Sequence, residues 1–168
     1  INMIDKVSAA TQIEGVYESH YEKYGDEFGK TIAGFFSDEP QFGNITVFNN
    51  WDVQVGRQKM QLPWSEELNE RLTEKYGETL AKALPFLFAE TEEQEIRTQI
   101  RYDYMDQVSR LYKKNFSDAI GDWCQSHGVE YIGHIVEDNG LHSRLGMGAS
   151  HYFRAMSGQS MAGIDCIG

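Results

Sequence analysis

The segment Thr31-Ile32-Ala33-Gly34-Phe35-Phe36-Ser37-Asp38-Glu39-Pro40 carries the strongest fold signal in the chain. Its first six residues, 31–36, form a short apolar run of the kind that predicts a buried parallel strand. Asp38 and Glu39 follow where this strand ends, and Pro40 stops further pairing because it has no backbone N–H. Since the carboxyl ends of parallel strands commonly carry the chemistry of α/β proteins, this acidic end is a candidate functional site.

Two more strand patterns follow, at 129–136 and at 161–167. A long amphipathic pattern at 92–127 predicts a helix before the second strand, and a shorter pattern at 149–158 predicts one before the third. This alternation of strands and helices predicts an α/β fold built from parallel βαβ units.

The domain organisation follows from the same pattern. We expect residues 1–168 to form a single α/β segment, incomplete at both ends, because the chain starts inside a helical pattern and stops on a strand pattern. Residues 41–91 are too long for an ordinary connection, and we interpret them as a long insertion between a strand and its helix. Ser65 is a natural N-cap for a helix inside that insertion.

The composition is that of a folded, acidic protein. Hydrophobic residues make up 40% of the chain and aromatic residues 12%, which is enough for a packed core. The net charge of −11 argues against binding to nucleic acids and to anionic membrane surfaces, because phosphate groups need a basic patch. No segment is apolar enough to cross a membrane. Cys124 and Cys166 have no neighbours at metal-ligand spacing, so we expect buried free thiols.

Acidic residues end two of the predicted strands, as Asp38-Glu39 and as Glu137-Asp138. Neighbouring strands of a sheet lie only about 4.8 Å apart, so two such ends can meet at one edge. Cleavage of a glycosidic bond needs a proton donor and a second carboxylate, roughly 5 to 10 Å apart. We therefore interpret Glu39 as the general acid/base and Glu137 as the nucleophile, base or substrate ligand. Asp38 is interpreted as an orienting, substrate-contacting residue, and Asp138 as a solvated turn residue.

Three other residues are candidates for substrate binding. His134 lies near the acidic end of the second strand, where it could contact a substrate hydroxyl or serve as a core histidine. Trp51 in the insertion could stack on a sugar ring or anchor the insertion. Arg144, in the loop after Glu137, could meet the carboxylate of an acidic sugar or pair with an aspartate.

Two other functional interpretations remain open. The acidic edge could belong to a non-catalytic carbohydrate-binding or scaffold fragment. It could also belong to a metal-dependent hydrolase that uses His134, Glu137 and His142, although no familiar ligand spacing is present. The glycosidase interpretation needs no metal and no cofactor, because acid–base chemistry alone breaks the acetal.

The strand end Ser37-Asp38-Glu39-Pro40 is similar to the Asn-Glu-Pro strand end of many sugar-cleaving barrels, with Asp38 in place of the Asn. More broadly, residues 15–168 resemble the barrel region of large multi-domain bacterial glycoside hydrolases that are similar to the α-L-rhamnosidases. Those proteins often carry a sugar-binding domain of the β-galactosidase type. The segments that carry the resemblance are Phe28–Pro40, Leu62-Pro63-Trp64-Ser65, Arg101-Tyr102-Asp103-Tyr104 and Gly133-His134-Ile135-Val136-Glu137.

This resemblance implies a (β/α)8 barrel with a carboxylate pair on its rim, and only Glu39 and Glu137 match strand-end acids well enough to take over that role. A complete TIM barrel needs about 250 residues, so the chain can supply only a partial one. The implied partner is a carbohydrate substrate. Because a partial barrel exposes unpaired strand edges and an apolar face, we also expect self-association or contact with the rest of a larger chain.

Overall fold

Helices and strands alternate along the chain. The computed structural model describes residues 1–43, 55, 61–136, 138 and 144–165. Its elements are α1 (Lys6–Gln12), α2 (Ser19–Tyr24), β1 (Gly34–Ser37), α3 (Glu66–Tyr76), α4 (Leu80–Ala83), α5 (Gln94–Tyr112), α6 (Ala119–Ser126), β2 (Glu130–Gly133), α7 (Tyr152–Ala155) and β3 (Met161–Ala162). Two π-helical segments join neighbouring helices: Ile13–Glu18 links α1 to α2, and Lys113–Asp118 links α5 to α6. Within the described ranges, no helix combines the length and the apolar character that a membrane crossing requires.

The three strands form one parallel sheet in the order β1-β2-β3. β1 pairs with β2 from Gly34 opposite Glu130 to Ser37 opposite Gly133. β2 pairs with β3 through Ile132, which lies opposite Met161. The predicted α/β architecture with parallel βαβ units is therefore confirmed for this part of the chain.

Several predicted boundaries were wrong by a few residues. The first strand runs over 34–37 instead of 31–36, because its hydrogen-bonded partner strand begins only at Glu130, whose N–H donates to the Ala33 carbonyl. The second strand, predicted over 129–136, covers only 130–133, because only these residues pair with the four residues of β1. The third strand, predicted over 161–167, is also shorter within the described residues, where its pairing with β2 involves Met161 and Ala162; residues 166 and 167 lie outside them.

Among the described residues, one face of the sheet packs against helices, and the other carries two largely exposed apolar side chains. Phe35 of β1 packs against Tyr17 and Trp123, with ring centroids 4.7 and 6.0 Å apart, and belongs to the aromatic layer behind the sheet. On the opposite face Phe36 and Met161 are 64% and 69% exposed. This alternation is the period-two pattern of a strand, and it leaves the apolar side chains of Phe36 and Met161 largely exposed.

The long helix α5 forms the centre of the core. Its residues Ile100, Tyr104, Val108 and Leu111 are almost fully buried at the three- and four-residue spacing from which the helix was predicted. Cys124 on α6 is a buried free cysteine, as predicted, and burial raises the pKa of its thiol to about 11. The predicted thiol Cys166 lies outside the described residues.

Glu67 ties α3 to the π-helical segment after α5. Its carboxylate accepts hydrogen bonds from Lys114 at 2.9 Å, Arg71 at 2.8 Å and Asn115 at 3.3 Å. Asn115 is buried and also donates to the Ile4 carbonyl at 2.9 Å, which connects the chain start to the same cluster. Burial raises the pKa of Glu67, but the three hydrogen bonds outweigh this effect and hold the pKa at about 2.

Candidate functional site

Backbone pairing continues past the ends of the strands and brings the following residues to one edge. The His134 N–H donates to the Ser37 carbonyl at 3.2 Å, and the Gly163 N–H donates to the Gly133 carbonyl at 2.8 Å. The residues that follow β1, β2 and β3 therefore leave the sheet side by side. This is the arrangement expected at the carboxyl edge of a parallel sheet.

A three-residue cluster forms at this edge. Glu39 follows β1, His134 follows β2 and Asp165 follows β3, and each contributes one nitrogen or oxygen atom to a group whose members lie within 4.8 Å of one another. Glu39 is half-buried, His134 is buried and Asp165 is exposed. The cluster is therefore accessible to solvent at Asp165 and buried at the His134 imidazole.

Two aspartates lie on opposite sides of the His134 ring. The imidazole Nε2 is 3.0 Å from Asp38 Oδ1, and Nδ1 is 3.4 Å from Asp138 Oδ2. The Asp38 side chain is 75% exposed, whereas that of Asp138 is only 4% exposed. The Nδ1 contact is electrostatic, because no aligned hydrogen bond to this buried nitrogen exists among the described residues. The ring is thus fixed between one buried and one solvent-facing carboxylate.

The backbone at Glu39 is strained. Its φ angle of 29° is positive, which is uncommon for a residue that has a side chain. Strained conformations of this kind persist only where the surroundings enforce them, and they concentrate at functional sites. Here the conformation turns the chain at the end of β1, directly before Pro40, and places the Glu39 side chain in the cluster.

The structure brings together three of the predicted site residues, namely Asp38, Glu39 and His134. Glu137 and Trp51 lie outside the described residues, so their predicted roles remain predictions. Arg144 is exposed in the loop between β2 and α7, and its role in substrate binding also remains a prediction.

Sequence reasoning misjudged two aspartates. The interpretation of Asp138 as a solvated turn residue was wrong, because its carboxylate is buried beside His134 and accepts the Asp165 N–H at 2.9 Å. Asp165 was not singled out, because it lies within the third predicted strand, 161–167, whereas in the structure β3 ends at Ala162 and Asp165 follows it. Only the earlier end of β3 in the structure makes Asp165 a strand-end residue, and no sequence signal indicates that the Asp138 turn folds inward.

The cluster also has the composition of a cation site. Two carboxylate oxygens and one imidazole nitrogen form a ligand set that suits divalent metals, from hard cations that prefer oxygen to zinc, which accepts both atom types. Three protein ligands with an open side are typical of a site that keeps a position for water or substrate. Glu39, His134 and Asp165 could therefore hold such an ion.

Comparison with known proteins identifies no relative: no protein-family model, no curated protein and no solved structure matches the chain.

Proposed function

We propose that this chain hydrolyses glycosidic bonds, with Glu39 as the general acid/base. The observation that carries the proposal is the meeting of Glu39, His134 and Asp165 at the carboxyl edge of a parallel sheet, within 4.8 Å of one another. Glycosidases need two carboxyl groups around the scissile bond, one to protonate the leaving oxygen and one to act at the anomeric carbon. The resemblance to α-L-rhamnosidase-like proteins supports a terminal sugar as the substrate.

The second carboxylate has two candidates. Glu137 was predicted from the sequence and lies outside the described residues. One carboxylate oxygen of Asp165 lies within 4.8 Å of one of Glu39, which is compatible with the spacing of about 5–5.5 Å between the carboxyl groups of retaining glycosidases and shorter than the inverting spacing of about 6.5–9.5 Å. We therefore assign the role of nucleophile to Asp165 first and to Glu137 second.

The remaining residues of the edge serve in substrate binding. Asp38 is mostly exposed, and its carboxylate can accept hydrogen bonds from sugar hydroxyls. The His134 Nε2 atom contacts the same carboxylate at 3.0 Å. The exposed Phe36 ring lies 5.8 Å from the His134 ring and offers an apolar surface for the C–H face of a pyranose. Trp51 and Arg144 retain their predicted roles as a stacking residue and as a ligand for an acidic sugar.

We further propose that the sheet is part of a (β/α)8 barrel. Parallel sheets are normally covered on both faces, and among the described residues the face that carries Phe35 packs against helical residues, whereas Phe36 and Met161 on the other face are largely exposed. Phe36 and Met161 on the other face would then line the barrel interior below the catalytic edge.

The proposal is tested with a panel of chromogenic α- and β-glycosides that includes an α-L-rhamnoside. The variants are Glu39→Gln, Asp165→Asn and Glu137→Gln, and the matched control is Glu74→Gln on the exposed side of α3. We expect Glu39→Gln to lower kcat/KM by about 10²–10⁴-fold, the typical contribution of general acid–base catalysis, with the control unchanged. Sugar binding without cleavage of any glycoside would instead favour a non-catalytic carbohydrate-binding protein.

A metal-dependent hydrolase is the second candidate, because the same three side chains form a plausible ligand set. In that case, a bound cation would supply Lewis-acid chemistry, and Glu39, His134 and Asp165 would hold it at the edge. Calorimetric titration with Ca²⁺, Mn²⁺ and Zn²⁺, together with activity before and after chelation, separates the two candidates. Activity that survives exhaustive chelation removes the metal-dependent candidate.

A further inference from the structure

We propose that Asp138 is a positioning residue whose buried carboxylate fixes His134 and the backbone at Asp165 relative to each other. It would thereby hold the ends of β2 and β3 in the geometry of the candidate site. The structural part of this proposal is independent of the reaction. Its catalytic consequence rests on the proposed glycosidase function.

The Asp138 carboxylate is buried. The Asp138 side chain is 4% exposed, although it lies in a loop at the edge of the sheet. A buried carboxylate is strongly disfavoured unless charged or hydrogen-bonding groups compensate for the water it has lost. Among the described residues, Asp138 contacts His134 and the Asp165 backbone, and both are parts of the candidate site.

One oxygen atom of Asp138 contacts two parts of the site. Asp138 Oδ2 accepts a hydrogen bond from the Asp165 N–H at 2.9 Å and lies 3.4 Å from His134 Nδ1. His134 precedes Asp138 by four residues, whereas Asp165 follows the neighbouring strand. The carboxylate consequently bridges two strand ends that the sheet itself joins only by backbone pairing.

Tyr152 of α7 contacts the segment that precedes Asp165. The Tyr152 hydroxyl donates to the Gly163 carbonyl at 3.3 Å, which holds the segment directly before Asp165. Burial raises the pKa of Tyr152, and the negative charge of Asp138 raises it further. The hydroxyl therefore stays protonated and able to donate, so Tyr152 and Asp138 both contact the segment that follows β3.

Asp138 affects the site by orienting the His134 imidazole. Because Nδ1 faces Asp138, Nε2 faces Asp38 at 3.0 Å and the open side of the cluster. The orientation of a histidine ring is set by the partner of its second nitrogen, and such partners commonly change affinity or activity by about 10–100-fold when they are removed. Asp138 acts through His134 and is not assigned any contact with substrate.

Two substitutions separate the two contacts. Asp138→Asn keeps an oxygen that can accept the Asp165 N–H but removes the charge that faces His134, whereas Asp138→Ala removes both. The matched control is Asp122→Asn, an exposed carboxylate on α6. The measurements are amide hydrogen exchange at Asp165 and the imidazole ¹H–¹⁵N signals of His134, both recorded by NMR on the full chain.

We expect Asp138→Asn to shift the His134 imidazole signals while the Asp165 amide keeps its protection. Asp138→Ala should also accelerate exchange at Asp165 by about tenfold, the effect of losing one hydrogen bond, and Asp122→Asn should change neither signal. The proposal is overturned if Asp138→Asn leaves the imidazole signals at their wild-type positions. Because Asp138→Asn preserves the shape of the side chain, it decides the question even if Asp138→Ala does not fold.

Kinetics give the catalytic part of the test. Asp138→Asn should lower kcat/KM by about 10–100-fold in the wild-type chain and have little further effect in a His134→Gln background. A purely structural role predicts the same loss in both backgrounds. If the wild-type chain cleaves no glycoside, the proposed function fails by itself, and the two NMR measurements still decide the role of Asp138.

Discussion

The substitution Gly133→Ala tests the pairing that creates the candidate site. Gly133 ends β2 immediately before His134 and has a φ angle of 149°, a conformation that side-chain-bearing residues rarely adopt. A Cβ atom at this position would lie 2.1 Å from the Ser37 carbonyl oxygen and 2.9 Å from the Ser37 backbone nitrogen. The end of β1 would have to move away from β2 to make room.

The expected loss in the free energy of unfolding has two sources, backbone strain and a weakened hydrogen bond. The φ angle alone disfavours alanine by about 1–3 kcal/mol. Separation of the strands also weakens the hydrogen bond from the His134 N–H to the Ser37 carbonyl, which contributes about 1 kcal/mol. We therefore expect Gly133→Ala to lower the free energy of unfolding by about 2–4 kcal/mol, a large share of the usual stability of about 5–15 kcal/mol.

The matched control is Gly15→Ala. An added Cβ at Gly15 has no heavy atom within 4 Å, and the residue lies in an exposed helical segment. Alanine there should stabilise the protein by about 0.5–1 kcal/mol. Urea unfolding followed by tryptophan fluorescence measures both variants. The reasoning would be refuted if Gly133→Ala lost less than about 1 kcal/mol, because φ strain alone should exceed that value.

Two further predictions concern stability and association. Since the pKa of Glu67 is about 2 in the folded state and 4.5 as its ordinary value, its contribution is present above pH 4.5 and is lost as the pH falls towards 2. The shift corresponds to about 3 kcal/mol, and solvent screening at the exposed Lys114 reduces this contribution to about 1–2 kcal/mol. In urea titrations, Glu67→Gln should be less stable than wild type by that amount at pH 7 and equally stable near pH 2. The control Glu70→Gln should be as stable as wild type at both pH values. The exposed apolar side chains of Phe36 and Met161 predict self-association and binding of a hydrophobic dye. Phe36→Ser should reduce both the self-association and the dye fluorescence. Strictly monomeric elution of the wild-type chain without dye binding would contradict this prediction.

Much of the fold is predictable because its signals are local. The apolar spacing of α5 reports the face that it buries, and Ser65 begins α3 by accepting the Leu68 N–H at 3.2 Å, as its N-cap position predicts. The meeting of Asp38, Glu39 and His134 also follows from a simple rule, namely that parallel strands end at the same edge. The signals for α5 and for its neighbour α3 lie within short segments of sequence, whereas the meeting at the sheet edge follows from the parallel topology that the alternation of strands and helices predicts.

The rest depends on contacts between distant segments. Strand lengths are set by partners, so the apolar run at 31–36 predicted a strand in about the right place but with the wrong ends. The inward fold of Asp138 depends on the Asp165 backbone, 27 positions later, and no local pattern encodes it. The π-helical segment at Lys113–Asp118 is likewise invisible in a pattern that continues smoothly through α5 and α6.

The most direct test of the central claim is the dependence of Glu39→Gln hydrolysis on the leaving group. A general acid is needed most when the departing oxygen is a poor leaving group. We predict that Glu39→Gln loses about 10²–10⁴-fold in kcat/KM for a sugar or alkyl leaving group, but less than about tenfold for dinitrophenol, which departs without protonation. An equal loss for all leaving groups would contradict the assignment of Glu39 as the general acid.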